Sequence, residues 1–446
     1  MISVSPARAA AFDILLRIEE QDAYASELLH AAHYKKLSSA DRGLMTELVM
    51  GVLRWRSVLD GTISQASSQK IQRLDREVLT ALRMAVYQMR WLERIPARAA
   101  IHESVELVKR AHKRSAAPFV NAVLRKSDVK PRPPSTSEAG SPKELASQYA
   151  HPEWLVERWI KEFGIESTRL ICQHDQEIPP TTIRLRVQDA ERQLQEKGIR
   201  LSPGLLLRSA RRMESGDVIQ TQIRGEGPIR IQDEASQLVA TLVGTGSRIL
   251  DCCAAPGGKT SILADRNPNG RLIAAELHLH RARLLRTLVR AANVTVVAAD
   301  ARQLPLRTEF DRVLADVPCS GTGTLARNPE IKWRLKPEDL QDLQARQRAI
   351  LRSALSRVAS GGRLVYSTCS LEQEENESVV EQALAQDKSF RLLGCRQELE
   401  RLEEQGELVW KDLGSLIRGR YLRTIPGRHP CDGFFTAILE RKAPSD

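Results

Sequence analysis

Aromatic residues are scarce in this chain, and long apolar runs are missing from it. Phe, Trp and Tyr make up 4% of its 446 residues, which disfavours an RNA-binding sheet that stacks bases on aromatic side chains. No apolar run approaches the roughly 20 residues that a membrane-spanning helix needs. The N-terminal segment MISVSPARAAAFDILLRIEE lacks the basic region, long apolar core and cleavage site of a signal peptide. We therefore expect a cytoplasmic protein.

Disulfide and zinc-binding patterns are also absent from the sequence. The chain has seven cysteines, an odd number, and none of them form the CxxC pairs typical of structural zinc sites. In a reducing compartment they should be free thiols, and most should be small buried side chains. We predict no metal site. The cysteines occupy positions 172, 252, 253, 319, 369, 395 and 431.

The charge of the chain is strongly basic. Lys and Arg outnumber Asp and Glu by 67 to 56, a net charge of +11. Residues 1–126 alone contain 20 basic and 13 acidic residues, so this segment carries a net charge of +7. This distribution favours a polyanionic partner such as RNA, and an ordinary solvated surface is the alternative.

Composition and periodicity divide the chain into four segments. Residues 1–128 repeat apolar residues every three or four positions, which predicts an all-α bundle. A Pro- and Ser-rich stretch predicts a solvated linker over 129–144. Residues 145–232 should form a small α/β element, in which the helix DAERQLQEKG lies between the strands TTIRLRV and GDVIQTQ. Residues 233–443 form the largest predicted domain.

This last segment alternates strands with helices. Its first four strands are largely apolar, as buried parallel strands are, and the alternation predicts a doubly wound, Rossmann-like α/β sheet. Such sheets bind their ligands at the carboxyl ends of the strands. The predicted strands are SRILDCCA, GRLIAAEL, VTVVAAD, FDRVLADVP, GGRLVYSTC and FFTAILER.

The segment DCCAAPGGKT joins the first strand of this sheet to its first helix. Gly257 and Gly258 permit a tight turn and a close approach of the backbone to a ligand, and the helix start offers free N–H groups. The dinucleotide motif GxGxxG does not occur here, and Ala254 stands where GxxxxGK[ST] requires glycine. NAD and nucleoside triphosphates are therefore disfavoured.

Acidic residues follow four successive strands, at Asp251, Glu276, Asp300 and Asp316. Carboxylates suit hydroxyls, amines and cations, and they repel phosphates. S-adenosylmethionine has ribose hydroxyls, an adenine amine, and a sulfonium with an α-amino group. A single carboxylate is commonly a cap or a surface charge, but four at consecutive strand ends favour this cofactor.

Three motifs together resemble the Sun/RsmB family of RNA 5-methylcytosine methyltransferases: DCCAAPGGKT, DVPCSGTGTLARNPEIKW and YSTCSLEQEENESVV. RHPCDGFFTAILERK resembles the closing strand of that family. FVNAVLRK, on the helical bundle, resembles the NusB-like domain of the bacterial RsmB branch, and HPEWLVERWIKEFG resembles the start of the middle region. The resemblance implies a NusB-like RNA-binding domain, a class I methyltransferase domain, and 16S ribosomal RNA as the substrate.

The resemblance also implies a cofactor site. Glu276, where the family usually has Asp, should bind the ribose, and Asp300 should approach the adenine. Arg281 matches a basic position of the family. Asp316 should lie between the cofactor and the base, where its carboxylate would contact the N3/N4 edge of cytosine. The cofactor-lining segment would comprise Cys253, Ala254, Ala255, Pro256, Gly257, Gly258 and Lys259, and Lys259 would bind the cofactor carboxylate or order the active site.

Two cysteines end strand-like runs, in VLADVPCSGTG and VYSTCS. C5 of cytosine is not nucleophilic until a thiolate adds to C6, so this chemistry requires a reactive cysteine. On chemistry alone, either Cys319 or Cys369 could attack. The Pro-Cys setting used by DNA 5-methylcytosine enzymes favours Cys319, whereas the family resembled here attacks with the cysteine of TCS. The resemblance thus implies that Cys369 is the nucleophile and that Cys319 assists product release.

Two other functions stay open at this point. Methylation of an exocyclic amine commonly uses a [DN]PP[YF] motif without a thiol, which DVPC and the second cysteine argue against. An assembly protein with an inactive catalytic domain would tend to lose a cysteine or the glycine turn, and this chain has them all.

RNA phosphates are predicted to contact three parts of the chain: the basic bundle, the small α/β element and the ARNPEIKW segment. The target base must leave its stack, and we expect a monomeric enzyme.

Overall fold

The computed structural model describes most of the chain, and the described part divides into two compact units. One unit contains the chain up to Ile178 together with Leu325–Arg334, and the other contains Pro179–Thr324 and the chain from Leu335 onward. The four segments predicted from the sequence, 1–128, 129–144, 145–232 and 233–443, divide the chain differently from these two units. Their boundaries stay predictions. The described residues are 4–21, 23–29, 31, 34, 36–127, 140–187, 189–216 and 229–443.

The first unit is helical in its described residues, as the apolar spacing predicts. Its core includes Ile14, Leu48 and Leu82, all with no exposed surface. The hydroxyl of Ser38 begins the longest helix by accepting a hydrogen bond from the N–H of Asp41. The helices are α1 (Pro6–Gln21), α2 (Ala25–Leu29), α3 (Ser39–Ala66), α4 (Arg76–Trp91), α5 (Ala97–Arg110), α6 (Ala117–Lys126), α7 (Pro142–Gln148), α8 (Glu153–Phe163) and α9 (Ile165–His174).

Helix α7 begins at Pro142, within the segment 129–144 that is predicted as a linker. Ser141 accepts a hydrogen bond from the N–H of Glu144, and the Glu144 carboxylate accepts one from the N–H of Ser141. This reciprocal pair satisfies two N–H groups at the start of the helix. The rest of the linker, residues 129–139, lies outside the described residues.

The second unit begins with a small antiparallel sheet. In the described residues it has four strands, in the order β2–β3–β1–β4, for the elements β1 (Thr182–Leu185), α10 (Ala190–Glu196), β2 (Arg200–Pro203), β3 (Ala210–Ser215) and β4 (Ile229–Ile231). Ile183, Leu194 and Ile229 are buried together in its core. The predicted strand TTIRLRV and the predicted helix are confirmed as β1 and α10. The predicted strand GDVIQTQ lies, except for Gly216, outside the described residues.

A large mixed sheet forms the rest of this unit. Its strands are β5 (Arg248–Asp251), β6 (Arg271–Glu276), β7 (Val294–Ala298), β8 (Phe310–Asp316), β9 (Val358–Thr368), β10 (Phe390–Leu393), β11 (Ile417–Arg418), β12 (Tyr421–Thr424) and β13 (Phe434–Arg441). Within the described chain the order is β11–β12–β13–β9–β8–β5–β6–β7, and β10 pairs with β13. Strands β5 to β9 are parallel, whereas β13 is antiparallel to β9. All six predicted strands are confirmed, and β10, β11 and β12 are additions.

Helices cover both faces of the large sheet, as a doubly wound fold requires. Leu238, Leu263 and Leu402 belong to the buried cluster on one side, and Ile350 and Val379 belong to the other. The helices are α11 (Glu234–Leu242), α12 (Gly258–Arg266), α13 (Leu279–Leu288), α14 (Ile331–Arg334), α15 (Asp339–Leu355), α16 (Glu377–Gln386) and α17 (Cys395–Glu404). Of these, α14 belongs to the helical unit. Among the described residues, no helix combines the length and apolar character that crossing a membrane demands.

The segment Leu325–Arg334 is built into the helical unit. The carboxylate of Glu330 accepts a hydrogen bond from the N–H of Ala25 at 2.8 Å. Lys332 is only 1% exposed, and burial lowers its pKa to about 7. The prediction that the ARNPEIKW segment contacts RNA phosphates is therefore wrong for Lys332, because its ammonium group is enclosed within the unit.

Candidate active site

The turn between β5 and α12 depends on glycine. Gly257 has a φ of +107°, and a Cβ atom at this position would lie 2.5 Å from Val289 Cγ2 and 2.7 Å from Leu285 Cδ1. A side chain there would therefore be strained and would collide with its neighbours. Residues 252–257 form this turn, and α12 begins at Gly258. The predicted cofactor segment thus places the N–H groups of a helix start at the carboxyl edge of the sheet.

Asp251, at the end of β5, is a buried carboxylate. Its Oδ2 accepts a hydrogen bond from the Thr260 hydroxyl at 2.8 Å. Its buried Oδ1 has no hydrogen-bond partner among the described residues. Burial raises the pKa of Asp251 to about 7. A buried oxygen without a partner is costly unless a bound group donates to it. Together with the tight turn, it fits a ligand that carries amine or hydroxyl donors, as the predicted cofactor does.

Lys259 and Asp316 form an ion pair between the first turn of α12 and the end of β8. The Nζ atom of Lys259 lies 2.7 Å from Oδ2 of Asp316 and 5.0 Å from the ring centroid of Phe434. Burial alone would lower the pKa of Lys259, but the negative charge of Asp316 and the hydrogen bond to it reverse the shift and raise the pKa. Lys259 therefore stays protonated and orients the Asp316 carboxylate.

Glu276 ends β6 and Asp300 follows β7, but their surroundings differ. Glu276 is 5% exposed; its Oε1 accepts a hydrogen bond from the N–H of His278 at 3.0 Å and lies 3.9 Å from Nη1 of Arg281. The Asp300 carboxylate is bound by Arg302 at 2.6 Å, and this hydrogen bond lowers the pKa of Asp300. Glu276 is thus buried at the edge of the sheet, whereas the Asp300 carboxylate is bound by Arg302 of its own loop.

The two predicted catalytic cysteines are in contact. Cys319 follows β8, Cys369 follows β9, and their Sγ atoms are 3.3 Å apart. The two strands are parallel neighbours, with Asp316 opposite Ser367, so both loops leave the same edge of the sheet. The prediction that most cysteines are buried is confirmed for four of the seven in the chain, and the described structure leaves three partly accessible: Cys253, Cys319 and Cys369.

The sulfur contact favours the neutral form of Cys319. The hydrogen bond with Cys369, followed by burial, raises the pKa of Cys319 well above its usual value. Cys319 therefore favours the neutral thiol beside Cys369.

The residues that join the two cysteine loops are not among the predicted site residues. Glu375, in the 3-10 turn Gln373–Glu375, is fully buried and accepts hydrogen bonds from Ser320 and Ser370. Gln347 of α15 donates to the same carboxylate at 2.7 Å. One signal was available, because a serine directly follows each of the two site cysteines.

Three family models match successive parts of the chain. Residues 5–128 match the NusB family. Residues 151–218 match the ferredoxin-like domain of RsmF/B-like methyltransferases. Residues 242–440 match the model described as 16S rRNA methyltransferase RsmB/F. This succession agrees with the order of domains that the resemblance implies.

Relatives of known name match nearly the whole chain. "Probable ribosomal RNA small subunit methyltransferase B" of Bacillus subtilis is 35% identical over 98% of this chain and 98% of its own length. "Ribosomal RNA small subunit methyltransferase B" of Vibrio cholerae is 32% identical, over 98% and 97%. A crystal structure of a methyltransferase homolog protein from Pyrococcus horikoshii, 27% identical, covers 68% of this chain and 100% of that one with a TM-score of 0.55. The chain belongs to the RsmB/F family of ribosomal RNA small subunit methyltransferases.

Proposed function

We propose that this protein transfers a methyl group from S-adenosylmethionine to C5 of a cytosine in 16S ribosomal RNA. Membership of the RsmB/F family supports this cofactor and an RNA substrate. The choice of C5 rests on one observation, the 3.3 Å contact between the sulfurs of Cys319 and Cys369. Methylation of an exocyclic amine needs no thiol, whereas C5 chemistry needs one thiol to attack C6 and benefits from another at release.

Cys369 is the proposed nucleophile. Its thiolate adds to C6 of the cytosine, so that a C6–S bond forms and C5 becomes an enamine-type nucleophile. When bound, S-adenosylmethionine supplies an electrophilic methyl group. C5 takes this methyl group, whose bond to the cofactor sulfur breaks. In the last stage the C5 proton passes to water, the C6–S bond breaks, and the Cys369 thiolate is restored. Cys319 retains its proton because of its raised pKa, and it can donate a hydrogen bond to the departing sulfur.

Asp316 is proposed to recognise the cytosine. Lys259 holds its carboxylate at 2.7 Å, and a carboxylate accepts hydrogen bonds from the N4 amine and from N3 once the ring is protonated in the adduct. Uracil presents a carbonyl oxygen in place of the N4 amine. A carboxylate at this position therefore favours cytosine over uracil.

The cofactor is proposed to bind at the carboxyl ends of β5, β6 and β7. The turn from Cys253 to Lys259 would line it, and Glu276 would accept hydrogen bonds from the ribose hydroxyls. Arg281, 3.9 Å from Glu276, would hold that carboxylate in place. Asp300 would approach the adenine, in which case its carboxylate serves both Arg302 and the cofactor.

The RNA is proposed to bind the basic helical bundle and the small α/β element as well as the catalytic site. The net charge of +11 supports contacts to several phosphates. An unpaired or flipped cytosine suits the enclosed position of the two thiols. If several phosphates are contacted, the affinity for RNA should fall steeply as the salt concentration rises. An affinity that does not change with salt would show that the basic bundle does not contact the RNA. A monomeric, cytoplasmic enzyme is proposed.

One experiment tests the proposal against its alternatives. The purified protein is incubated with 16S ribosomal RNA and methyl-labelled S-adenosylmethionine, and the modified nucleosides are identified by mass spectrometry. We expect 5-methylcytidine at a single position in bisulfite sequencing. Label in N4-methylcytidine would indicate chemistry at the exocyclic amine, and RNA binding without any label would indicate an assembly protein.

A further inference from the structure

Glu375 connects the two cysteine loops through a single carboxylate. The side chain is fully buried. Its Oε1 accepts hydrogen bonds from the N–H of Ser320 at 2.8 Å and from Nε2 of Gln347 at 2.7 Å. Its Oε2 accepts hydrogen bonds from the hydroxyls of Ser320 and Ser370. Each serine directly follows one of the site cysteines, so one carboxylate holds the residue next to each sulfur.

Gln347 extends this network to the other side of Cys319. The second hydrogen on its Nε2 is donated to the carbonyl of Pro318 at 3.0 Å. Cys319 is therefore held at the residue before it, by Gln347, and at the residue after it, by Glu375. The N–H of Gly323 also donates to the carbonyl of Cys369 at 2.9 Å. These hydrogen bonds join the two chain segments that carry the sulfurs.

The turn that carries Glu375 is itself fixed to β9. The hydroxyl of Tyr366 donates to the backbone carbonyl of Glu375 at 2.7 Å. The side-chain amide of Asn376 donates to the carbonyl of Ser370 at 2.9 Å and accepts a hydrogen bond from the Thr368 hydroxyl. Buried polar groups of this kind are costly to leave without partners, so the whole network favours one arrangement.

We propose that Glu375 is a positioning residue that holds the sulfurs of Cys319 and Cys369 in contact. Its consequence for catalysis rests on the proposed C5 methylation, whereas its effect on the sulfur separation does not. The negative charge has a second effect on the same pair. The pKa of Cys319 is raised first by the hydrogen bond with Cys369 and by burial, and the charge of Glu375 adds to that rise.

The sulfur separation is measured with a bis-alkylating bimane, which becomes fluorescent only after it joins two neighbouring thiols. The full chain is used without RNA or cofactor, and Cys319→Ser gives the background from the remaining thiols. Because a small misplacement of reacting groups slows a reaction strongly, we expect Glu375→Gln to bridge about 10-fold more slowly than the unchanged protein. Glu374→Gln, the same change at the preceding and more exposed residue of the turn, should bridge at the unchanged rate.

Circular dichroism and thermal unfolding show whether each variant is folded. If Glu375→Gln does not fold, the double variant of Ser320→Ala and Ser370→Ala replaces it, because it removes two donors and leaves the carboxylate in place. Slow bridging by a folded variant supports the positioning role. Bridging at the unchanged rate in folded Glu375→Gln, or in the double serine variant, would overturn it.

Methyl transfer to ribosomal RNA is measured on the same variants. We expect the rate constant for transfer to fall about 100-fold in Glu375→Gln, with the affinity for S-adenosylmethionine retained. Normal transfer together with slow bridging would contradict the catalytic consequence. If the unchanged protein bridges but makes no 5-methylcytidine, the proposed function fails while the positioning role of Glu375 stands.

Discussion

The sulfur atoms of Cys319 and Cys369 are 3.3 Å apart, although 50 residues separate them in the chain. Two features produce this contact. Strands β8 and β9 are parallel neighbours whose carboxyl ends lie level, and the Glu375 carboxylate binds the residue after each cysteine. Because the two thiols share a hydrogen bond, a change at one alters the environment of the other.

Replacement of Cys369 by alanine should abolish methyl transfer. Without its thiolate no C6 adduct forms, and C5 stays unreactive. We expect the rate to fall by at least about 10³-fold, with cofactor affinity unchanged, in a single-turnover assay with labelled S-adenosylmethionine and 16S ribosomal RNA. Cys395→Ala, at a buried cysteine outside the site, is the control for loss of a thiol. Full activity of Cys369→Ala would reverse the assignment of the two thiols.

Replacement of Cys319 by alanine should have a different result, because the nucleophile is still present. The adduct should form and then break down slowly, so that a covalent complex of protein and RNA accumulates. Denaturing gel electrophoresis with labelled RNA detects this complex, and Cys369→Ala must not produce it. If Cys319→Ala is inactive and no complex is trapped, Cys319 does not act at release.

Mild oxidation should join the two sulfurs. Two thiols in contact can form a disulfide with hydrogen peroxide, losing two protons and two electrons to the peroxide, which becomes two molecules of water. We expect peroxide to inactivate methyl transfer, dithiothreitol to restore it, and mass spectrometry to find a peptide pair containing Cys319 and Cys369. In Cys319→Ser this pair cannot form. Inactivation that dithiothreitol does not reverse would contradict the prediction.

The stability of the fold should depend on the protonation of Asp251. Its pKa is about 7 in the folded chain, against a usual value of 3.8. The folded state therefore binds this proton more tightly, and the resulting stabilisation is complete below about pH 4 and is lost as the pH rises to 7. Asp251→Asn removes the titration and can retain a carbonyl oxygen for Thr260. Relative to the unchanged protein, its free energy of unfolding should increase by up to about 1.4 kcal/mol per pH unit across this range.

Urea unfolding between pH 4.5 and 7.5 measures this difference. Asp311→Asn is an informative control, because backbone N–H donors outweigh burial there and lower the pKa of Asp311. Because its lowered pKa confines its titration to below about pH 4, the difference between Asp311→Asn and the unchanged protein should stay nearly constant over this range. A constant difference between Asp251→Asn and the unchanged protein over the whole range would show that burial does not shift the titration of Asp251.

Much of the fold is readable from short stretches of sequence. The apolar spacing before residue 128 predicts helices, and the six strands of the large sheet are predicted at their observed places. The short strands β11 and β12 have too few residues for a pattern, and the antiparallel direction of β13 depends on its partner β9. Neither property is encoded in the periodicity of a single segment.

The sequence by itself determined where the carboxyl ends of the strands are and which residues lie there: Asp251 before the glycine turn, Asp316 before one cysteine, and Cys369 directly after β9. These are local properties, since a strand end and a turn depend on a few consecutive residues. Only the tertiary structure decided that the two sulfurs meet, that Lys259 binds Asp316, and that Glu375 lies beneath both loops. These contacts join residues 50 or more positions apart, and such pairings depend on which strands become neighbours in the sheet.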